Sequence, residues 1–177
     1  MEVTTRSEHQ GPSAKGRASF EKFYADEHRT LFAVMSMVAG RGDAEDLMQE
    51  AFLRVWRKWD RVASMENPRG YLYRTAINLN RMRIRAAAAH ARRVFRFGDD
   101  GASEAATMED RVSDKDAVQR ALMQLSPRRR AAFVLVGGLG MSSREAAQVL
   151  GVRDSTVREL SSKARRDLAN LQLEEES

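Results

Sequence analysis

The residues with the clearest capacity for chemistry lie in 142–160, SSREAAQVLGVRDSTVREL, and the chemistry is recognition, not bond making. Ser142 and Glu145 have the S-x-x-E spacing of a capping box, which starts a helix by satisfying backbone donors that lack a partner within it. Ala146, Ala147 and Leu150 place an apolar stripe on that helix. Gly151 falls where the chain must turn through positive φ, and Val152 is expected to plug the turn. Asp154 or Ser155 suits the cap of a second helix whose Val157 and Leu160 face back toward the first. Small Ala147 permits a close crossing. The outward side then carries Arg153, Asp154, Ser155, Arg158, Glu159 and Ser162, groups that reach base edges when a second helix lies in the major groove. The pattern is that of a helix-turn-helix over about 142–162; an ordinary αα-hairpin with a glycine corner shares much of it.

A second set of groups is defined by charge. Eight arginines fall between Arg69 and Arg96 with no acid among them, a composition suited to phosphates. Upstream, Asp43, Glu45, Asp46 and Glu50 form an acidic patch. Two surfaces of opposite sign imply two different partners. The 177 residues carry 30 Lys and Arg against 25 Asp and Glu, a net charge of +5 and an isoelectric point near 10, which favours an anionic partner. No cysteine occurs, which excludes disulfides, thiolate metal sites and cysteine nucleophiles. His9, His28 and His90 are too scattered for a metal cluster. No clustered nucleophile or Gly-rich phosphate cradle is present, so neither an enzyme nor a cofactor or metal is expected. No apolar run approaches the roughly 20 residues of a membrane span, and the N-terminus lacks a signal-peptide core; a cytoplasmic protein is expected.

The elements that must position these groups read as helices throughout. Residues 1–18 are polar and read as a disordered arm. Phe20, Phe23, Leu31, Met35 and Val38 mark a helix ended by Gly40-Arg41-Gly42. Asp43 is expected to cap the next, in which Ala44, Leu47, Met48, Ala51, Phe52, Val55, Trp56 and Trp59 keep an unbroken helical period. A loop follows at 60–67, then a helix from Pro68, a residue suited to a first turn, to Arg85 or beyond, with Leu72, Ala76 and Leu79 inward. Residues 98–115 are small and acidic and read as a flexible linker. Helical signals resume near Lys115 with Val118, Ala121, Leu122 and Leu125 on one face. Ser126-Pro127 opens another helix, loosened at its end by Gly137-Gly138. The expected fold is all-α: two small helical domains, 19–97 and 116–172, joined by that linker, with an acidic tail at 173–177.

In order and content these parts resemble the extracytoplasmic-function group of the sigma-70 family of bacterial RNA polymerase sigma factors, from about Ser19 to Leu171. DAEDLMQEAFLRVW (43–56) is similar to the family's region that binds core polymerase. PRGYLYRTAINLNRMRIR (68–85) is similar to its promoter-melting and minus-ten-reading helix. Residues 125–168, beginning LSPRRRAAFVLVGGLG, are similar to its minus-thirty-five-reading domain. The resemblance implies that Asp46, Glu50, Gln49 and Leu47 contact basic paired helices of the polymerase's largest subunit, Leu47 being equally suited to the core. It implies a further contact on the polymerase flap, promoter DNA as the second partner, and an inhibitory anti-sigma factor. Asn78 stands where the family holds a base. Arg74, Arg81 and Arg85 suit phosphates, Tyr71 matches an aromatic near the duplex edge, and the loop 61–67 corresponds to the specificity loop. In the second domain Arg158 and Glu159 are the leading base readers, since arginine holds guanine bidentately and glutamate accepts from cytosine. Lys163, Arg166 and Arg144 suit phosphates, although Glu159 and Lys163 also have i, i+4 pair spacing. Ser161-Ser162 departs from the bulkier residues common in the group. The competing reading is a regulator that binds an operator without polymerase, but 43–85 offers no receiver or ligand pocket.

Overall fold

The computed structural model describes residues 12–97 and 114–175. They are helical with short joints, and no strand occurs among them. The first module is built from α1 (Ala14–Ala39), α2 (Arg41–Trp56), the short α3 (Trp59–Val62) and α4 (Pro68–Phe97). The second contains α5 (Asp114–Gln124), α6 (Pro127–Phe133), α7 (Ser143–Leu150) and α8 (Asp154–Glu175).

Helix α1 starts earlier than its apolar period indicates. Ser13 Oγ accepts the Gly16 N–H at 3.2 Å, and the Trp59 indole donates to Ser19 Oγ at 2.8 Å. These ties order 14–18, which composition alone assigns to the arm; most of that arm lies outside the described residues. Gly40, at φ +95°, ends α1 and begins α2, a backbone that side-chain-bearing residues avoid. It takes the position expected of Asp43, which instead lies in the first turn of α2 without capping it. α2 stops at Trp56, so Trp59 enters the core from α3, inside the expected loop. Phe20, Trp56 and Trp59 pack edge to face with ring centroids 4.8 and 5.2 Å from Phe20, geometry favoured by the ring quadrupoles. Leu31, Met35, Ala51, Val55, Leu72 and Ala76 close the three-helix core with no exposed surface.

One polar clamp crosses that core. Tyr73 is fully buried, and its hydroxyl donates to Glu27 Oε2 at 3.2 Å. Arg69 Nε lies 3.2 Å from the same oxygen, with its guanidinium carbon 5.4 Å from the Tyr73 ring centroid. Burial, above all, pushes the Tyr73 phenol up to about 12, because the phenolate would lose its hydration.

In the second module α6 runs into a π-helical turn, Val134–Gly138, closed by a Leu139 N–H bond to the Val134 carbonyl at 2.9 Å. The capping box forms in full: Ser142 Oγ accepts from the Glu145 N–H at 3.2 Å and Glu145 Oε2 accepts from the Ser142 N–H at 2.8 Å. Gly151 takes φ +66°, ψ +40° as the corner requires. Val157 is buried and Leu160 half-buried, both facing the core. Two apolar residues are placed otherwise than expected. Val152 does not plug the turn but is 36% exposed, and Val118 is 57% exposed while Leu122 and Leu125 carry the buried side.

The linker of 98–115 lies outside the described residues except for 114–115, which are helical, as are 173–175 of the expected tail. The two modules it joins are packed together. Helix α7 lies against α4, while α5, α6 and the π-turn lean on α1, so that one continuous apolar core spans both. Arg81 Nη1 donates to the Leu150 carbonyl at the end of α7 at 3.2 Å, and Gln119 Nε2 donates to the Ser36 carbonyl at 2.7 Å.

Replacing Ser142 by Ala is expected to lower unfolding stability by about 1 kcal/mol, within the cost of losing a helix cap, measured by urea denaturation. The phenol of Tyr73, isolated by the ultraviolet difference between wild type and Tyr73→Phe, is expected to titrate near pH 12. Because the folded value is raised, its contribution to stability is complete below the ordinary tyrosine value of roughly 10 and declines as pH rises through 12.

Candidate nucleic-acid interface

The α4 sequence puts its groups in a row because it is an uninterrupted helix. Asn67 Oδ1 accepts the Gly70 N–H at 2.7 Å and starts it, with Pro68 in the first turn. Leu72, Tyr73, Ala76, Ile77 and Leu79 anchor one side in the core. On another side Tyr71, Thr75 and Asn78 line an open groove whose opposite wall is α2 and its end, with Glu50, Arg54, Arg57 and Lys58; Glu50 pairs with Arg54 at 2.7 Å and leaves the wall cationic overall. Asn78 is exposed, Tyr71 half-buried. An amide, an aromatic ring and three cations against one carboxylate are the chemistry of a single-strand site: stacking for a base, hydrogen bonds for its edge, and for the phosphates Arg57 and Lys58, with Arg54 once it leaves Glu50. Asn78 and Tyr71 are read from the sequence. Arg54, Arg57 and Lys58 are not; the signal was the basic run just after the acidic patch, and only folding brings it opposite Asn78.

Arg74 and Arg81 border a different neighbour. Arg74 lines a cleft with Tyr71 whose far wall is Glu145, Gln148 and Val149 of the second module. Arg81 is committed to Leu150. Arg85 is exposed and faces Pro127 and Arg128 across a crevice. The second module therefore covers the flank of the arginine row.

On α8 the outward groups are as expected. Arg153, Ser155, Arg158, Glu159, Ser162 and Arg166 are exposed, Lys163 is half-buried, and Arg144 on α7 is exposed. Arg158 pairs with Asp154 at 3.2 Å and Lys163 with Glu159 at 2.6 Å, both within the helix. The bond and charge of Lys163 hold the Glu159 carboxyl below its ordinary value. Such exposed i, i+4 pairs are weak and screened by salt, so they leave these side chains available to DNA. Ser161 is 5% exposed, its hydroxyl buried without a hydrogen-bond partner; its small size lets α8 pack there.

The acidic patch lies along α2. Asp43 and Asp46 sit 3.0 and 3.8 Å from Arg83 of α4, and Glu50 2.7 Å from Arg54. Gln49 donates to Glu45 at 3.1 Å. Leu47 is 4% exposed and belongs to the core, so the contact role held open for it is removed. The apolar group that α2 does present is Leu53, 42% exposed, in a shallow groove with Tyr24, Trp56 and Gln49.

The comparisons decide the family. Residues 23–90 match the family model of Sigma-70 region 2 and residues 115–168 that of Sigma-70, region 4. The ECF RNA polymerase sigma factor SigM of Mycobacterium tuberculosis is 32% identical over 164 residues, covering 89% of this chain and 79% of that one. The chain belongs to the sigma-70 family, in its ECF group. The sigma factor RpoE, solved with the anti-sigma factor NepR from Bartonella quintana, has a TM-score of 0.72 at 22% identity, covering 87% of this chain and 96% of that one. CnrH, solved with the cytosolic domain of CnrY, has a TM-score of 0.62 at 24% identity over 93% of this chain and 96% of that one. These likenesses show the shared fold. In this sigma factor the region 2 match spans most of α1 to α4, and the region 4 match spans α5 to α8. No described helix is long and apolar enough to cross a membrane, and no group of metal-binding side chains occurs among the described residues.

The Arg83 pairs are exposed by 46% to 74% of each side chain. Arg83→Ala is accordingly expected to change stability by less than about 1 kcal/mol, read from urea denaturation, leaving Asp43 and Asp46 free to exchange that cation for another.

Proposed function

We propose that this sigma factor is a transcription initiation factor with no catalytic step of its own, which carries core RNA polymerase to a promoter by gripping the polymerase with α2 and the DNA with α4 and α8. The observation that carries this reading is the groove joining Asn78 and Tyr71 to Arg54, Arg57 and Lys58. Opening DNA costs a few kcal/mol per extruded base, and such a groove offsets that cost by holding the base and its phosphates. Asp46, Glu50 and Gln49 meet the basic paired helices of the largest subunit. The exposed Leu53 supplies the apolar contact that buried Leu47 cannot. Arg158 and Glu159 read the minus-thirty-five element, with Arg153, Ser155 and Ser162 beside them and Lys163, Arg166 and Arg144 on phosphates. The second module in its open position also meets the polymerase flap. Work on these two partners calls for a cytoplasmic protein.

The packed arrangement cannot read both elements. Their names set them about 25 base pairs apart, about 85 Å at 3.4 Å per pair. A compact chain of 177 residues has a radius of gyration of about 16 Å. Promoter reading therefore requires the α4–α7 joint to open. An anti-sigma factor, the kind of partner seen with RpoE, would act here by holding that joint shut.

Run-off transcription from a genomic fragment library, with purified core polymerase and this chain, tests the reading. Transcripts from a cognate promoter are the expected result. Promoter binding that is equal without core, with core remaining silent, would instead indicate an operator-binding regulator. Glu50→Arg is expected to weaken core binding at unchanged helical content, measured by competition with wild type. Arg158→Ala should cost about 1–3 kcal/mol at one base position of the upstream element and leave the others unchanged, read from binding to a substituted promoter set.

A further inference from the structure

A cavity of about 100 Å³ lies at the joint between the modules. Its walls come from both: Ile77 and Ile84 of α4 on one side, Ala131 of α6, Leu150 of α7 and Leu160 of α8 on the other. Ile84 and Val152, apolar side chains left 37% and 36% exposed, both line it. Asn80 and Thr156 are the uncharged polar groups of the wall. An apolar space between packed helices forfeits dispersion contacts and accepts an apolar guest. This one is smaller than the about 150 Å³ that admits benzene, so it suits a narrow aliphatic chain better than a ring.

One end of the cavity is strongly basic. Arg81 and Arg128 line both the cavity and an open crevice of about 310 Å³ beside it, and the crevice adds Arg85. Three guanidinium groups thus ring the mouth, and neither wall contains a carboxylate. None of the three has a carboxylate partner among the described residues, whereas Arg83 and Arg129, close to them in the chain, are paired with acids. Arg81 gives one N–H to the Leu150 carbonyl and keeps the rest of its five donors. Cations gathered without counter-charge at the end of an apolar space favour an anion there, and planar guanidinium forks match a carboxylate in particular.

Resting on the sigma reading above for its effect on transcription, we propose that cavity and crevice together form a site for a small aliphatic monocarboxylate. Its chain lies between Ile84 and Leu160, and its head meets Arg85, Arg128 and the free edge of Arg81. Because the walls belong to two modules, opening the joint divides the site. The ligand therefore binds the closed form alone and multiplies the ratio of closed to open by 1 + [L]/Kd. Bound there, it withholds Arg81 and Arg85 from DNA and makes promoter engagement answer to its concentration.

The test titrates octanoate into the full-length chain by calorimetry, with butyrate and octanol as probes of chain and charge. Octanoate should saturate one site. Each buried methylene is worth about fourfold in affinity, so butyrate should bind at least about tenfold more weakly. Octanol, which lacks the charge, should lose about tenfold or more as well. Arg128→Ala should weaken octanoate about tenfold. Val152→Phe, which fills the cavity from an exposed position, should abolish binding at unchanged helical content. Saturating octanoate should raise the melting temperature of wild type and not of Val152→Phe. Added before core polymerase, it should lower run-off transcription severalfold for wild type and leave Val152→Phe unaffected. Octanol binding as tight as octanoate, full binding by Val152→Phe, or bound octanoate that leaves wild-type transcription unchanged would overturn the proposal. Wild type that cannot transcribe even without octanoate removes the sigma reading and the effect on transcription, while calorimetry still decides the site. Wild type that transcribes but takes up no octanoate removes the site alone.

Discussion

The guanidinium of Arg81 has one place to go at a time. In this chain by itself it donates to the Leu150 carbonyl, an acceptor at the C-terminal end of a helix, where a cation is favoured. The same side chain stands in the row proposed to face phosphate. Around it α7 packs on α4 and the apolar core runs unbroken from one module to the other, so the helix proposed to meet the minus-ten element is also the seat of the helix-turn-helix. Packing against α7 and lying along DNA are mutually exclusive along that flank. On the proposed reading, the exclusion couples the two promoter contacts without any long-range signal: whatever separates the modules frees both.

Charge placement makes that exchange feasible. The acids of α2 are held by single exposed pairs to Arg83 and Arg54, weak enough to be traded for a partner's cations. The arginines of the α4 row lack carboxylate partners among the described residues, so approaching phosphates displace no internal bond except at Arg81. Arg158 and Glu159, the groups of α8 proposed to read bases, are restrained by turn-to-turn pairs. By contrast, the Tyr73–Glu27 bond, whose phenol is fully buried, and the capping box fix α4 to α1 and α7 to its own corner, so the moving parts move as rigid bodies.

What could be read from the sequence was whatever is decided locally. Ser142, Glu145 and Gly151 settle a cap and a corner from the residues beside them, and the α2 and α4 periods mark their buried sides. Outcomes set by distant neighbours were not legible. Val152 is drawn out of its turn to face α4. Val118 stays exposed because only the Leu122 side of α5 meets a partner. Leu47 sinks into the core, and Leu53 is the apolar side chain that α2 exposes. Trp59 leaves the expected helix for one of its own. Arg54, Arg57 and Lys58 gain meaning only when the end of α2 comes to lie across from Asn78. The joint between the modules was the largest omission: an acidic, small-residue linker predicts freedom, and nothing in its composition reports that the surfaces it connects are complementary.

The central claim is that one chain has a closed form in which the modules share a core and an open form spread across a promoter. The chain has no cysteine, so spin labels can be placed at Ser64→Cys and Ala169→Cys, both exposed, and the distance between them measured by pulsed electron resonance. The free chain should give one narrow, short distance, and the complex with core polymerase and promoter DNA a distance lengthened toward the about 85 Å between the two elements. A broad distribution in the free chain, or an unchanged distance in the complex, would contradict the account.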